Sequence, residues 1–247
     1  MLRDKAAFMS ITSFYKYANL LMLTRSKPPK KRYSKGIRAD APLRIIHMDV
    51  TIYRPLDHSK VYIYILMDNY SRHIMSWKAS LEYSPRIALE NLYEAYQSYN
   101  LEKINPYINL VTDDGSENKG AVTAFLDTQG VNIKRLVAQK DILFSNSMVE
   151  AVNKRLKYDF LFTVKLNDFK HTLQYLPGAI EEYGAKPHSA LYGLTPKEVV
   201  SGSLPDKGIF RQAIHQAAAK RSMVNLNQEC FDCFGITGKA NLPTLKN

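Results

Sequence analysis

Cysteine is almost missing from this sequence. Of 247 residues only Cys230 and Cys233 carry a thiol, too few for the disulfide framework of a small secreted domain, so a reducing interior suits the chain better. Tryptophan is scarcer still, at one residue, although 16 Tyr and 10 Phe supply aromatic bulk. Long apolar runs are lacking: "YANLLML" at 17–23 falls far short of the ~20 residues a membrane-spanning helix needs. The first residues lack the basic, apolar and small-residue succession of a signal peptide. The expectation is therefore a soluble, cytoplasmic chain without membrane contact. Acid is also in deficit, with 23 Asp and Glu against 34 Lys and Arg, which leaves a net charge of +11 and a pI near 9.5. That surplus points to a polyanionic partner. With 45% hydrophobic residues the chain has enough apolar surface to offset its entropy, which excludes general disorder.

Along the chain, "MSITSFYKYANLLMLTR" sets Phe14, Tyr17, Leu20 and Leu21 on one helical face. "KPPKKRYSKGIR" (27–38) follows, with six basic residues, two prolines and no acid. It reads as an extended linker in which Lys30, Lys31 and Arg32 either contact phosphates or are simply solvated. From residue 44 the pattern turns to strands. In "RIIHMDVTIYRP", Ile46, Met48, Val50 and Ile52 alternate with His47, Asp49, Thr51 and Tyr53, the two-residue period of a strand. "VYIYILMDN" and "RHIMSWKAS" complete an antiparallel meander. Ser84 and Pro85 open a helix over 84–99. "INLVTD" (108–113) is a fourth strand, followed by a helix around 118–129 and the strand "NIKRLVA". This order predicts an α/β fold, a mixed sheet flanked by helices. Beyond 145 the pattern is helical: "SNSMVEAVNKRLKYDFLF", a segment from about 167 to 184, a helix opened by a Thr195–Glu198 capping box with Pro196 in its first turn, and an amphipathic helix over 209–224. The expected divisions are a short helix and basic linker (1–43), a core (44–165), its helical extension (166–205), and a C-terminal helix and tail (206–247).

Three acidic positions stand out. Asp49 lies mid-strand among Ile, Met and Val, where an ionised carboxylate is costly unless paired, metal-bound or at an exposed edge. Asp113 and Asp114 end the fourth strand in "LVTDDGSEN"; Asp-Gly is ordinary turn chemistry, and a carboxylate at a strand end is equally able to hold a metal. Glu150 lies in a helix where Ser147-x-x-Glu150 matches a capping box. At 100° per residue, Asn153, Lys154 and Lys157 fall within about 60° of Glu150, while Met148, Val149, Val152, Leu156 and Phe160 cluster on the other side. One face packs; the other is a site or a solvated charged face.

Four segments, in order, carry a resemblance to a known family. "HMDVT" looks like the first acidic motif of a catalytic triad, "VTDDGSEN" like a Ser-Asp-x-Gly-Ser segment, "SNSMVEAVNKRLK" like a helix bearing a glutamate and trailing lysine, and "KPHSALYGLTPKEV" like an Arg-Pro-His-Ser-Ala-Leu…Thr-Pro ending. From residue 44 to about 202 the chain resembles the DDE transposases and integrases, most closely bacterial insertion-sequence transposases with a retroviral-integrase-type core. Thirty-six residues separate Asp113 from Glu150, close to the family's characteristic spacing.

The resemblance implies a ribonuclease H-like mixed sheet flanked by helices, with a helical C-terminal extension. It implies the triad Asp49, Asp113 and Glu150, with Asp114 at the family's variable position. Such a triad holds two divalent ions, Mg²⁺ or Mn²⁺, for in-line displacement at a phosphodiester. Water as nucleophile cleaves a strand, and a DNA 3′-hydroxyl joins one. The implied substrates are mobile-element ends and target DNA, handled by a homo-oligomer. Asn153, Lys154, Lys157, Lys186, His188 and the linker cations would then contact DNA. His188 is alternatively a structural histidine tying down the helical extension.

There are departures. Ser145 stands where family members carry an Asp, and Lys186 replaces an arginine, keeping the charge but losing the bidentate fork. The segment before residue 44 does not hold the helix-turn-helix segments that precede such cores. "SITSFYKYANLL" reads as a remnant of a last recognition helix, so a truncated frame or a separately encoded helix-turn-helix subunit is expected. "CFDC" supplies two of zinc's four ligands, which favours reduced thiols. A truncated, non-catalytic DNA-binding regulator and a ribonuclease H-like nuclease without joining activity stand as rival functions.

Overall fold

Strand β1 (Ile45–Tyr53) is the middle strand of a five-stranded sheet and the one on which the rest is assembled. In this computed structural model the described residues are 10–23, 37–104, 107–116, 120–128, 130–138, 140–142, 146–206, 208 and 211–227. Lys30, Lys31, Arg32, Ser145, Cys230 and Cys233 lie outside them. Two units divide the chain: residues 29–206, and residues 1–28 together with 207–247.

In the larger unit β1 pairs antiparallel with β2 (Val61–Asp68), which pairs antiparallel with β3 (Ile74–Ser80). On its other side β1 pairs parallel with β4 (Ile108–Thr112), which pairs parallel with β5 (Ile133–Val137). The strand order is β3-β2-β1-β4-β5. The three antiparallel strands and the later alternation with helices are as the sequence pattern predicts. β2 is buried along almost its whole length, as expected for a strand covered on both faces.

The two faces sort β1's residues by parity. Ile46 and Met48 point into an apolar layer with Tyr64, Leu66 and Leu110, closed by α2 (Pro85–Ser98) and by Val122 of α3 (Ala121–Leu126). Tyr53 points into the opposite layer with Ile63, Ile65 and Met67, closed by α4 (Ser147–Asp159) and α5 (Phe169–Ala185). His47, Asp49 and Thr51 share Tyr53's parity and so face α4. Local chemistry sets the helix starts. Ser84 caps α2 with Pro85 at its first position, Asp168 accepts from His171 N at the start of α5, and Thr195 and Glu198 form the expected capping box on α6 (Pro196–Val200).

In the smaller unit α1 (Ile11–Leu20) begins at Ser10, whose side chain accepts from Ser13 N, and buries Ala18 while Phe14, Tyr17, Leu20 and Leu21 are exposed. The last helix, α7 (Arg211–Asn227), departs from the amphipathic expectation. None of its side chains described, residues 211–223, is buried. Its sequence, with Ala213, Ala217, Ala218 and Ala219, favours helix by intrinsic propensity, and its bulky Ile214 and Met223 are exposed.

Leu156 of α4 is fully buried against the sheet, whereas Leu173 of α5 is exposed. Leu156→Ala should therefore lower unfolding stability by about 2–5 kcal/mol, and Leu173→Ala by no more than about 0.5 kcal/mol. Urea unfolding followed by circular dichroism measures both, and equal costs would contradict the packing described.

Candidate active site

The parallel register of β1 and β4 brings two of the predicted acids together. Ile45 pairs with Asn109, Ile46 with Leu110 and His47 with Val111. The same offset carried two residues on sets Asp49 beside Asp113. Strand β4 ends at Thr112, one residue before Asp113, and the charge of Asp113 acts on Asp49. Asp114 is exposed and accepts from Lys140 Nζ at 3.0 Å.

Glu150 arrives from α4. Ser147 is the first residue of that helix and Asn146 its N-cap, making no side-chain bond to the helix's own N–H groups. The capping-box reading of Ser147 and Glu150 therefore does not hold, and Glu150 is an exposed carboxylate in the first turn. The carboxyl of Asp49 is pushed up to about 6, first by burial and further by the charges of Asp113 and Glu150, against its hydrogen bonds to Val50 and Asn153. Asp49 of β1 thus feels the charges of an acid just past β4 and of one on α4.

Asn153 stands one turn along from Glu150. Sequence geometry put it on the acidic face as a DNA contact; its side chain is only 5% exposed and its Nδ2 donates to Asp49 Oδ2 at 2.7 Å. Asn153 holds the aspartate's orientation, and its own Oδ1 is buried without a partner. Lys157 is half-buried; burial lowers its pKa while the charge of Asp49 raises it, so its ammonium senses the same carboxylate. Lys154 is exposed on this side of the helix. Lys186 pairs with Glu182 at 2.7 Å and lies over the Phe160 ring at 4.3 Å. His188 Nδ1 accepts from Ala190 N at 3.1 Å, its backbone N–H bonds Leu194 O, and burial with the charges of Arg155 and Arg72 pushes its pKa down to about 4. A neutral ring in a self-bonded turn offers no charge to a phosphate.

Behind the acids lies a polar chain that sequence reasoning missed. His47, Asn69 and Asn146 are fully buried. Asn69 Nδ2 donates to His47 Nε2 at 2.8 Å, so the proton sits on Nδ1, which donates to Asn146 Oδ1 at 2.8 Å. Asn146 Nδ2 then donates to Met48 O at 3.0 Å. At the other end Asn69 Oδ1 accepts from Ala39 N at 2.8 Å. Burial, helped by the charge of Arg72, pushes His47 down to about 4, which keeps the ring neutral as this bonding requires. The start of α4 is thereby tied to β1 at His47 and Met48, the two residues before Asp49. A histidine two residues before the strand aspartate and an asparagine four residues before the glutamate are the available signals.

The residues fit divalent cations in chemistry. Carboxylate oxygens are the hard donors that Mg²⁺ and Mn²⁺ prefer, the mutual repulsion of three acids is relieved by a cation, and the unpartnered Asn153 Oδ1 beside Asp49 suits a water or ion at that place. Among the described residues, no three Asp, Glu, His or Cys side chains stand close enough to hold one ion.

No family model matches this sequence, and no curated protein matches it. Solved structures do. The chain is similar to one in the cryo-EM structure of the simian T-cell lymphotropic virus intasome in complex with PP2A regulatory subunit B56 gamma, at 16% identity and a TM-score of 0.53, covering 70% of this chain and 60% of that one. It is similar to the HTLV-2 integrase catalytic core domain in complex with magnesium, in dimeric form, at 17% identity and a TM-score of 0.45, covering 66% and 99%. The catalytic domain of the Mos1 mariner transposase follows at 14% identity and a TM-score of 0.43, covering 56% and 70%. At these identities the likeness is one of fold. The five-stranded mixed sheet with flanking helices is a ribonuclease H-like fold, and the chain spans less than two thirds of the first of these relatives.

Two expected outcomes follow from this geometry. Asn146→Ala leaves His47 Nδ1–H and Met48 O unpaired, at about 1–3 kcal/mol for each buried group, read from urea midpoints. Asp49 binds its proton more tightly folded, at about 6, than at its ordinary 3.8, so the folded state holds more protons between those values and stability falls as pH rises through that window. In EDTA the wild type should lose about 3 kcal/mol from pH 3.5 to 6.5 relative to Asp49→Asn, and parallel pH profiles would contradict the burial of this carboxylate among like charges.

Proposed function

We propose that this chain is the catalytic core of a DNA transposase of the integrase type, of bacterial insertion-sequence origin, which cleaves and joins phosphodiesters at mobile-element ends. What carries the reading is Asp49 on the α4 face of a ribonuclease H-like sheet, its carboxyl raised to about 6 first by burial and further by the charges of Asp113 and Glu150. The fold alone hosts other chemistry; the acids acting on Asp49 supply the argument for this one.

In this reading Asp49, Asp113 and Glu150 are the ligands of two Mg²⁺ or Mn²⁺ ions, which when bound supply Lewis-acid polarisation and charge neutralisation at the scissile phosphate. Asp49 must be ionised to act, and Asn153 holds its Oδ2 in place for that. The Lys157 ammonium, within the field of Asp49, and the exposed Lys154 attract the phosphates flanking the reacting bond. Lys186, His188 and the linker cations Lys30, Lys31 and Arg32 are assigned to DNA on the resemblance alone. The same holds for assembly as a homo-oligomer on DNA, a cytoplasmic setting, and a separately encoded helix-turn-helix subunit that recognises the element ends. The net charge of +11 supports a DNA partner.

The test is incubation with labelled element-end DNA and Mn²⁺. Asp113→Asn and Glu150→Gln should each cost more activity than Asn153→Ala, whose loss of a bond behind a ligand is expected to cost roughly 10- to 100-fold. Asp114→Asn should retain most activity. Equal loss in Asp113→Asn and Asp114→Asn, with folding intact, would overturn the assignment. Triad-dependent nicking without joined product makes the chain a nuclease, and binding without cleavage makes it a regulator.

A further inference from the structure

Beyond the lysines, α4 ends in exposed aromatic surface. Tyr158 is 53% and Phe162 56% exposed, and Val164 next to them is also open. The two rings stand 5.3 Å apart at 83°, edge to face, and Phe162 leans on Tyr53 at 5.9 Å. Tyr53 OH in turn donates to Leu161 O, so the pair has a fixed base. Single exposed apolar residues are ordinary, but adjoining aromatic rings fixed from below are not.

The surroundings select the partner. At 100° per residue Lys154, Lys157 and Tyr158 all lie within about 80° of Glu150's direction on α4, and Lys165 follows just past the short 3-10 helix Leu161–Thr163. The acid within this stretch, Asp159, is engaged by Arg155 at 3.2 Å. Cations therefore border the rings, which suits phosphates. Tyr158 lies about 12 Å along the helix axis from Glu150, or roughly three to four nucleotides at 3.4 Å each. A base locked in a duplex shows only its edges, whereas an unpaired base shows a π-face that any aromatic ring can take.

We propose that Tyr158 and Phe162 form a stacking platform for an unpaired base of a DNA strand whose phosphates run past Lys154, Lys157 and Lys165 away from the three carboxylates. This rests on the reading that those carboxylates act on DNA. The platform gives the site a preference for frayed or single-stranded DNA a few nucleotides from the reacting bond, supplied by residues that take no part in the chemistry.

Fluorescence anisotropy on the full chain tests it with three probes: a labelled oligothymidylate, a strand of equal length made of abasic units, and a mixed-sequence duplex. The wild type should bind oligothymidylate more tightly than the abasic strand, which has the same phosphates. The double variant Tyr158→Ala with Phe162→Ala should weaken oligothymidylate binding about 5- to 100-fold, leave the abasic strand and duplex unchanged, and so erase the preference. Tyr158→Phe should keep it. A wild type without preference for bases overturns the platform whatever the variants do. So does equal loss on the abasic strand, or unchanged oligothymidylate binding with a shift from oligomer to monomer in sedimentation, which would make the patch a contact between copies. Asp49→Asn retains both rings and should keep the base preference. Base preference without triad-dependent nicking defeats the catalytic reading alone, and nicking without base preference defeats the platform alone.

Discussion

A neutral imidazole between two amides fixes where α4 meets the central strand. His47 can accept from Asn69 only through a bare Nε2, and so must donate from Nδ1 to Asn146. That donation turns the Asn146 amide so that its nitrogen reaches Met48 O. Each orientation in the chain follows from the one before it. Protonating the ring would put a second donor opposite Asn69 Nδ2 and a second positive charge near Arg72; the pKa of about 4 shows how strongly burial opposes this. Because Glu150 lies one turn after Asn146 and Asp49 one residue after Met48, the same bonds set the spacing of two candidate ligands. The acids can repel one another without pushing α4 off the sheet, since the attachment is made by neutral groups beneath them.

The sheet and helices were legible because their signals are local. Alternation in "RIIHMDVTIYRP", Ser84 before Pro85, and Thr195 with Glu198 each depend on residues within one element. The buried chain was not legible, since His47 and Asn146 lie 99 positions apart and Asn69 was read only as part of a strand end. Asn153 shows the limit of helical-wheel reasoning. Its angle rightly groups it with Glu150, but an angle does not say that β1 lies against that edge of the helix, so a residue read as facing DNA is buried on Asp49. The α7 expectation erred for a related reason. Alanines satisfy an amphipathic pattern in symbols while supplying too little apolar area to drive packing.

The choice between Asp113 and Asp114 shows what pairing adds to a motif. Along one strand the two differ only by alternation, which loses force where the strand ends. Across strands the register is fixed by Ile45, Ile46 and His47 against Asn109, Leu110 and Val111. A slip of one residue would turn Leu110 out of the α2 layer, where it is fully buried with Ile46 and Met48. Hydrophobic burial on one face of the sheet thereby fixes the register of the strand that leads into Asp113 and Asp114.

Helix α4 carries three kinds of work on separate arcs. Val149, Val152 and Leu156 hold it to the sheet, Asn153 reaches sideways to Asp49, and Glu150, Lys154, Lys157 and Tyr158 lie on the outward side. Burial energy is therefore collected on one side and solvent-facing charge on the other, so the outer residues can change without loosening the helix. Asn153 joins the two. It is buried like the apolar residues and bonded like the polar ones, and its Oδ1 has no partner. An unpaired buried acceptor costs stability, so the place where Asn153 meets Asp49, between β1 and the acidic side of α4, carries a local expense that the apolar contacts of Val149, Val152 and Leu156 offset.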